Sequence, residues 1–472
     1  ERVAALAEPA FSPEGQLSVA TVGSAAGPPA LQPQPSLSGM AVTDDAKEVA
    51  LGMVDVVTLA ELKGVNRSWL ALARRVLCSR LSRCEGQPAP TQLAEITDLN
   101  IKVLVDAGRP WEAAAAGRML PSLARLRWEG FEVNVAAVRG VDLDERDDDE
   151  DEDEDERPFL GGPAKTALLS CIEGEGEPPL KLLLAAVACA GSGEISGIPV
   201  QMMRDDSVSE LDLQERNIGV EGGMLLAYLV PAMGGLTSIN MSRNNLTNFG
   251  RDMTGIKELA AALGVNGSLT VTNLLGNQLD AESAKMLAEV AKQKGISLCG
   301  IRRDQTTADF SNQNLQLPDA ILLASDLSQA IVTGALTHLS LVGNEKLGDK
   351  GVEALSVAIE QSKSLRTLDL SSDSSTMFGP KGTTALAKAL TINSSLTQIE
   401  YISPDSNLPN VDNSLPAPEL FWHLLVTCAF WFLCLQVAGQ LPWSQGCHGV
   451  RGRLARQQLA QEGMFPYQPT PA

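Results

Sequence analysis

One spacing of aliphatic residues, L-x-x-L-x-L-x-x-N-x-L, recurs along the second half of this chain and limits what it can fold into. Clear copies start at Leu236 (Ile239, Met241, Asn244, Leu246) and Leu269 (Thr272, Leu274, Asn277, Leu279). Two more start at Leu336 (Leu339, Leu341, Asn344) and Leu365 (Leu368, Leu370, with Asp373 at the Asn position). An earlier copy starts at Val208 (Leu211, Leu213, Ile218), a degraded one holds Phe310, Asn312 and Leu315, and a last one begins Leu396, Ile399, Tyr401. The starts at 208, 236, 269, 336, 365 and 396 lie 28, 33, 67, 29 and 31 residues apart, and the long gap fits two units. After each copy comes an Ala/Leu-rich stretch at helical spacing: 222–233, 256–263, 281–292, 318–331, 350–359 and 381–390. A fixed period near thirty, strand then helix, means units that bury their apolar faces only by stacking on one another.

Each template position has a physical task. Side chains alternate along a strand, so the paired aliphatics of L-x-L point one way, into a core. Each is worth roughly 1.5–3 kcal/mol once buried. At the turn leaving the strand, Asn244, Asn277 and Asn344 can bond main-chain groups that no longer pair in a sheet. Gly222, Gly351 and Gly382 suit a crowded corner at the helix entry.

Residues 208–401 resemble the ribonuclease-inhibitor-like leucine-rich-repeat family, most closely in Leu355–Leu370 and Ala385–Thr397. The resemblance implies an α/β solenoid, a curved parallel sheet on the concave side with helices outside. It also implies a protein that binds other proteins, with no shared catalytic site and no cofactor. By alternation the residues between and after the core positions face the groove: Glu210, Asp212, Gln214, Glu215, Ser238, Asn240, Ser242, Arg243, His338, Ser340, Thr367, Asp369 and Ser371. These are the partner-binding candidates, though any solvated sheet face carries such residues.

Upstream, residues 1–42 are rich in Ala, Pro, Gly and Ser without apolar period, and read as a disordered lead. Residues 43–83 carry two amphipathic helices. Within them Val65, Arg67, Trp69, Leu72 and Ala73 match in register the second half of an F-box, V-x-R-x-W-x-x-L-A. That resemblance implies a ubiquitin-ligase adaptor as partner, docking on Val65, Arg67, Trp69 and Leu72; the family's opening Leu-Pro is not evident. Residues 90–141 read as irregular repeats, with short strand rhythms at 96–101 and 123–128 around a helix at 111–120. Residues 159–207 read as degenerate repeats.

Between them lies an acidic linker, 142–158, in which residues 142–156 hold thirteen carboxylates and one Arg. This run supplies −12 of the net −21. Such a density of like charge resists compaction, and the acidic balance excludes nucleic acid as a partner. Eight Cys are scattered with no C-x-x-C, and only three His occur. Together with the lack of a basic n-region before an apolar stretch, this leads to the expectation of a reduced, cytoplasmic protein without a metal site. No phosphate-binding loop, nucleophile elbow or zinc-protease motif is present, so an enzyme is not expected.

After a linker at 402–419 comes an uncharged run at 420–438, LFWHLLVTCAFWFLCLQVA, long enough to span a bilayer. Arg451, Arg453 and Arg456 follow in the tail, 439–472. A membrane-anchored receptor, a helix capping the last repeat, or a tail outside the fold all accommodate this run.

Overall fold

The computed structural model describes residues 95–143, 159–160, 162–371 and 379–400. They form an α/β protein that divides into two compact units.

The first unit comprises residues 95–139 and 170–190 among those described. Its sheet has the order β1 (Asp98–Asn100), β2 (Arg125–Trp128), β3 (Phe131–Asn134), β4 (Ile172–Glu173). β1 and β2 are parallel, whereas β2–β3 and β3–β4 are antiparallel. Helices α1 (Ile101–Asp106), α2 (Glu112–Met119), α3 (Val135–Val138) and α5 (Leu180–Ala190) belong to it. The short strands and the Ala-rich helix fall where the sequence puts them. Read from sequence as irregular repeats, residues 95–139 instead join residues 170–190 in a mixed sheet. Glu129 and Gly130, with φ of 33° and 88°, turn the chain directly back into a hairpin, and residues 170–190 join this unit.

The second unit holds α4 (Gly162–Ser170) up to Leu169, α6 (Val200–Arg204), and then strand and helix in alternation. The strands are β5 (Glu210–Asp212), β6 (Ser238–Asn240), β7 (Val271–Asn273), β8 (Thr307–Asp309), β9 (His338–Ser340), β10 (Thr367–Asp369) and β11 (Gln398–Glu400). The helices are α7 (Gly219–Leu229), α8 (Thr254–Val265), α9 (Ala281–Lys294), α10 (Leu317–Leu327), α11 (Ala330–Thr333), α12 (Gly348–Gln361) and α13 (Pro380–Ile392). All strand pairs here are parallel and in one register: Leu211, Ile239 and Thr272 are neighbours, as are Ala308, Leu339, Leu368 and Ile399. Except for Leu211, which is half-buried at the sheet's first strand, these central residues are buried in the core, with Ile239 at 1% and Leu368 at 0% exposure. Two places beyond, Leu213, Met241, Leu274, Phe310, Leu341 and Leu370 are buried as well, as alternation requires.

A single sheet expected from the period is instead two: β5-β6-β7 and β8-β9-β10-β11. The interruption lies between α9 and β8. There Ser297 bridges to Val271 in parallel, and Ser297 N–H donates to Thr270 O at 3.0 Å. The chain then leaves before reaching β8. Asp326 of α10 pins this segment from behind: Leu298 N–H, Cys299 N–H and the Ser297 hydroxyl donate to its carboxylate at 2.9, 3.0 and 2.7 Å. Asp326 is fully buried, and burial pushes its pKa up to about 6 against the pull of those donors.

Two asparagine ladders join successive units. At the strand exit, Asn277 Nδ2 donates to Met241 O and Leu274 O at 2.8 and 3.0 Å, while its Oδ1 accepts from Asn244 N–H at 2.9 Å. Asn244 and Asn344 repeat this, their amides donating to Leu213 O and Phe310 O at 2.7 and 2.8 Å. At the helix end, Asn266 donates to Val230 O and Met233 O, and Asn393 to Ile359 O and Ser362 O. Buried backbone groups that neither helix nor sheet satisfies therefore find partners one unit away.

Candidate functional site

Because the central strand residues point inward, the flanking ones must point out. On the sheet β5-β6-β7 these are Glu210 and Asp212, Ser238 and Asn240, Val271 and Asn273. Together with Gly300 and Arg302 they line a cavity of about 330 Å³. Arg302 follows the Ser297–Cys299 segment and reaches back across the cavity. Its Nη2 lies 2.9 Å from Glu210 Oε2, and the two side chains are 58% and 57% exposed. Gly300 has φ 78°, and a Cβ there would stand 3.3 Å from Asn273, so this segment passes close over the sheet.

The turn after each strand uses several outward residues for its own construction. Asp212, Asn240, Asn273, Asp309 and Asp369 each accept, through Oδ1, the N–H two residues on. This local turn suits Asp and Asn at strand exits. In Asp309 the hydroxyl and N–H of Ser311 hold the carboxyl below its usual range. Ser242 and Ser371 likewise donate their hydroxyls to Asn240 and Asp369 at 2.8 and 2.7 Å.

The sequence-derived candidates thus separate. Glu210, Asp212, Ser238 and Asn240 meet at one cavity. Gln214 and Glu215 lie beside it: Gln214 Oε1 accepts from Asn240 Nδ2 at 3.1 Å, and Glu215 pairs with Arg243 at 2.9 Å. Ser242, only 5% exposed, belongs to the turn rather than to an open surface. His338, Ser340, Thr367, Asp369 and Ser371 stand on and after β9 and β10 of the other sheet. His338 is exposed, with Nδ1 at 2.7 Å from the Thr337 hydroxyl. Val65, Arg67, Trp69 and Leu72 lie outside the described residues, as do residues 144–158 and 420–438.

No protein-family model matches this chain, and no curated protein matches it. Among the described residues no group of three or more His, Cys, Asp or Glu is placed to hold a metal ion. Nor is any described helix long and apolar enough to cross a membrane.

Arg302, Asn273 and Gly300 are lining residues that the template did not identify. Asn273 was legible, since it sits beside Leu274 as Asn240 sits beside Met241. Arg302 was not, because Gln293 and Ile301 stand where the template around Ile296 and Leu298 has its first Leu and its Asn.

Proposed function

We propose that this chain is a leucine-rich-repeat scaffold of the ribonuclease-inhibitor-like kind, and that it binds a protein partner on the outward face of its strands. The observation that carries the reading is the parallel register within each of the two sheets, seven three-residue strands in all, six of them with a buried centre and all but β7 with a polar residue on both sides. Stacked in this way, the units offer one row of side chains per strand at the inter-strand spacing of about 4.8 Å. Such a row suits an extended macromolecular surface better than an enclosed small molecule. The Asn ladders support the same reading, since they hold each row fixed against the next.

Within that face, the cavity under Arg302 is the anchoring point. It combines depth, charge and polar donors, and a few central anchors carry most of the energy of an interface. Affinity capture with the full chain tests this, set beside a variant carrying Glu210→Lys, Asp212→Lys and Glu215→Lys. All three side chains are exposed, so the variant keeps its fold, and it loses the captured partner. An unchanged set of partners moves the binding face elsewhere.

A further inference from the structure

We infer that the cavity accepts an arginine or lysine side chain of the partner, seated against Asp212 and Glu210, and that Arg302 of the chain itself holds part of this site until the partner displaces it. The inference rests on the reading of this face as an interaction surface, and adds the chemistry of what it takes.

Charge comes first. The outward strand positions from β5 to β10 carry four carboxylates, Glu210, Asp212, Asp309 and Asp369, and neither Lys nor Arg. An acidic partner would meet this row as a repulsion. Arg302, which lines the cavity, and Arg243, beside it, are already paired, with Glu210 and Glu215. A basic partner meets attraction along the whole row, and complementary charge both steers the encounter and fixes its register.

The site already binds a guanidinium. Arg302 comes from 92 positions away in sequence to sit on Glu210. Both ends stay more than half exposed, and an exposed pair of this sort is weakly held and readily exchanged. Beside it, Asp212 gives one oxygen to Gln214 N–H and makes no ion pair among the described residues. A cation entering the cavity therefore finds one free carboxylate at once, and a second when Arg302 swings away. About 330 Å³ is near the lower end of the volumes that enclose a small ligand, roughly 300–1,000 Å³. A single long side chain reaching down from a larger body matches that size.

The test uses the full chain and a fluorescein-labelled octapeptide of alternating Arg and Ser, read by anisotropy at low salt, with the Glu/Ser octapeptide as control. Because the acidic run at 144–156 also attracts a basic peptide, the measurement is repeated in a full chain whose carboxylates at 147–156 are replaced by amides. Asp212→Asn weakens the Arg peptide about threefold to fivefold, and Arg302→Gln tightens it by a similar factor. If neither substitution changes binding in the amide-substituted chain, or if the Glu peptide binds better than the Arg peptide, the inference is overturned. Partner capture that is lost on charge reversal at 210, 212 and 215 while the Arg peptide stays indifferent to Asp212→Asn would overturn the basic-ligand inference alone. Capture that survives the reversal removes the underlying surface as well.

Discussion

Single residues decide how the turns hold together, and they give the sharpest stability predictions. Asn277 is fully buried and serves four backbone groups in two units. Asn277→Ala leaves them without partners and lowers stability by about 2–3 kcal/mol in a urea titration. Thr272 shows the reverse case. It fills the slot of Ile239 and Leu211, yet its buried hydroxyl finds no hydrogen-bond partner among the described residues. Thr272→Val removes that orphan with little change in shape and raises stability by about 1 kcal/mol. Asp326 gives a pH signature. Its folded pKa of about 6 lies above the unfolded value of about 3.9. Between those values the folded chain keeps a proton that the unfolded chain has lost. Its contribution to stability is thus complete below pH 4 and disappears as the pH rises through 6. The difference in urea midpoint between wild type and Asp326→Asn, followed from pH 4 to 7, carries this slope. A difference independent of pH would contradict it. Asn244, Asn277 and Asn344 were legible from the template alone. Asn266 and Asn393 were not, because a template built on leucines overlooks the N-x-S-L that closes the preceding helix, seen at 266–269 and 393–396.

At the scale of elements, the helices were the most readable, since Ala and Leu at helical spacing mark a buried stripe whatever lies around it. Their ends moved by a few residues. Asp280, which caps α9 by accepting from Ser283 N–H at 2.6 Å, and Gly295, left-handed at its far end with φ 68°, show the ordinary signals at work. Strands of three residues were legible only where two aliphatics flank one residue. Ser297 has its flanking pair in Ile296 and Leu298 but lacks the Leu and Asn that the template places on either side, and β3 carries its one fully buried side chain, Val133, between polar neighbours. Pairing direction was likewise hidden, because β3 and β4 join through contacts distant in sequence. Close helix packing leaves a readable trace in glycine. A Cβ on Gly117 of α2 would overlap the carbonyl oxygen of Cys189 in α5. Gly117→Ala therefore drives the two helices apart, costs about 2–3 kcal/mol, and lowers the thermal midpoint of the full chain. Gly267→Ala, where a Cβ meets nothing within 4 Å, leaves the midpoint near wild type.

For the whole molecule, the period in the sequence predicts parallel strands in a common register but not where the sheet breaks. The break depends on Ser297, Asp326 and the path of residues 300–306, and none of these belongs to the repeating pattern. It also creates the candidate site, because the segment that interrupts the sheet is the one that carries Arg302 over Glu210. The net charge of −21 would suggest an acidic surface everywhere, but −12 of it is concentrated at 142–156. What distinguishes the strand face is therefore the placing of a few carboxylates rather than their number. The central claim is that this face, and not the helices, meets the partner. Hydrogen exchange on the full chain, alone and with its captured partner, tests that most directly. The account predicts slowed exchange at 208–216, 237–243, 270–275 and 299–303, with α8, α9 and α12 unchanged. Slowing confined to those helices would contradict it.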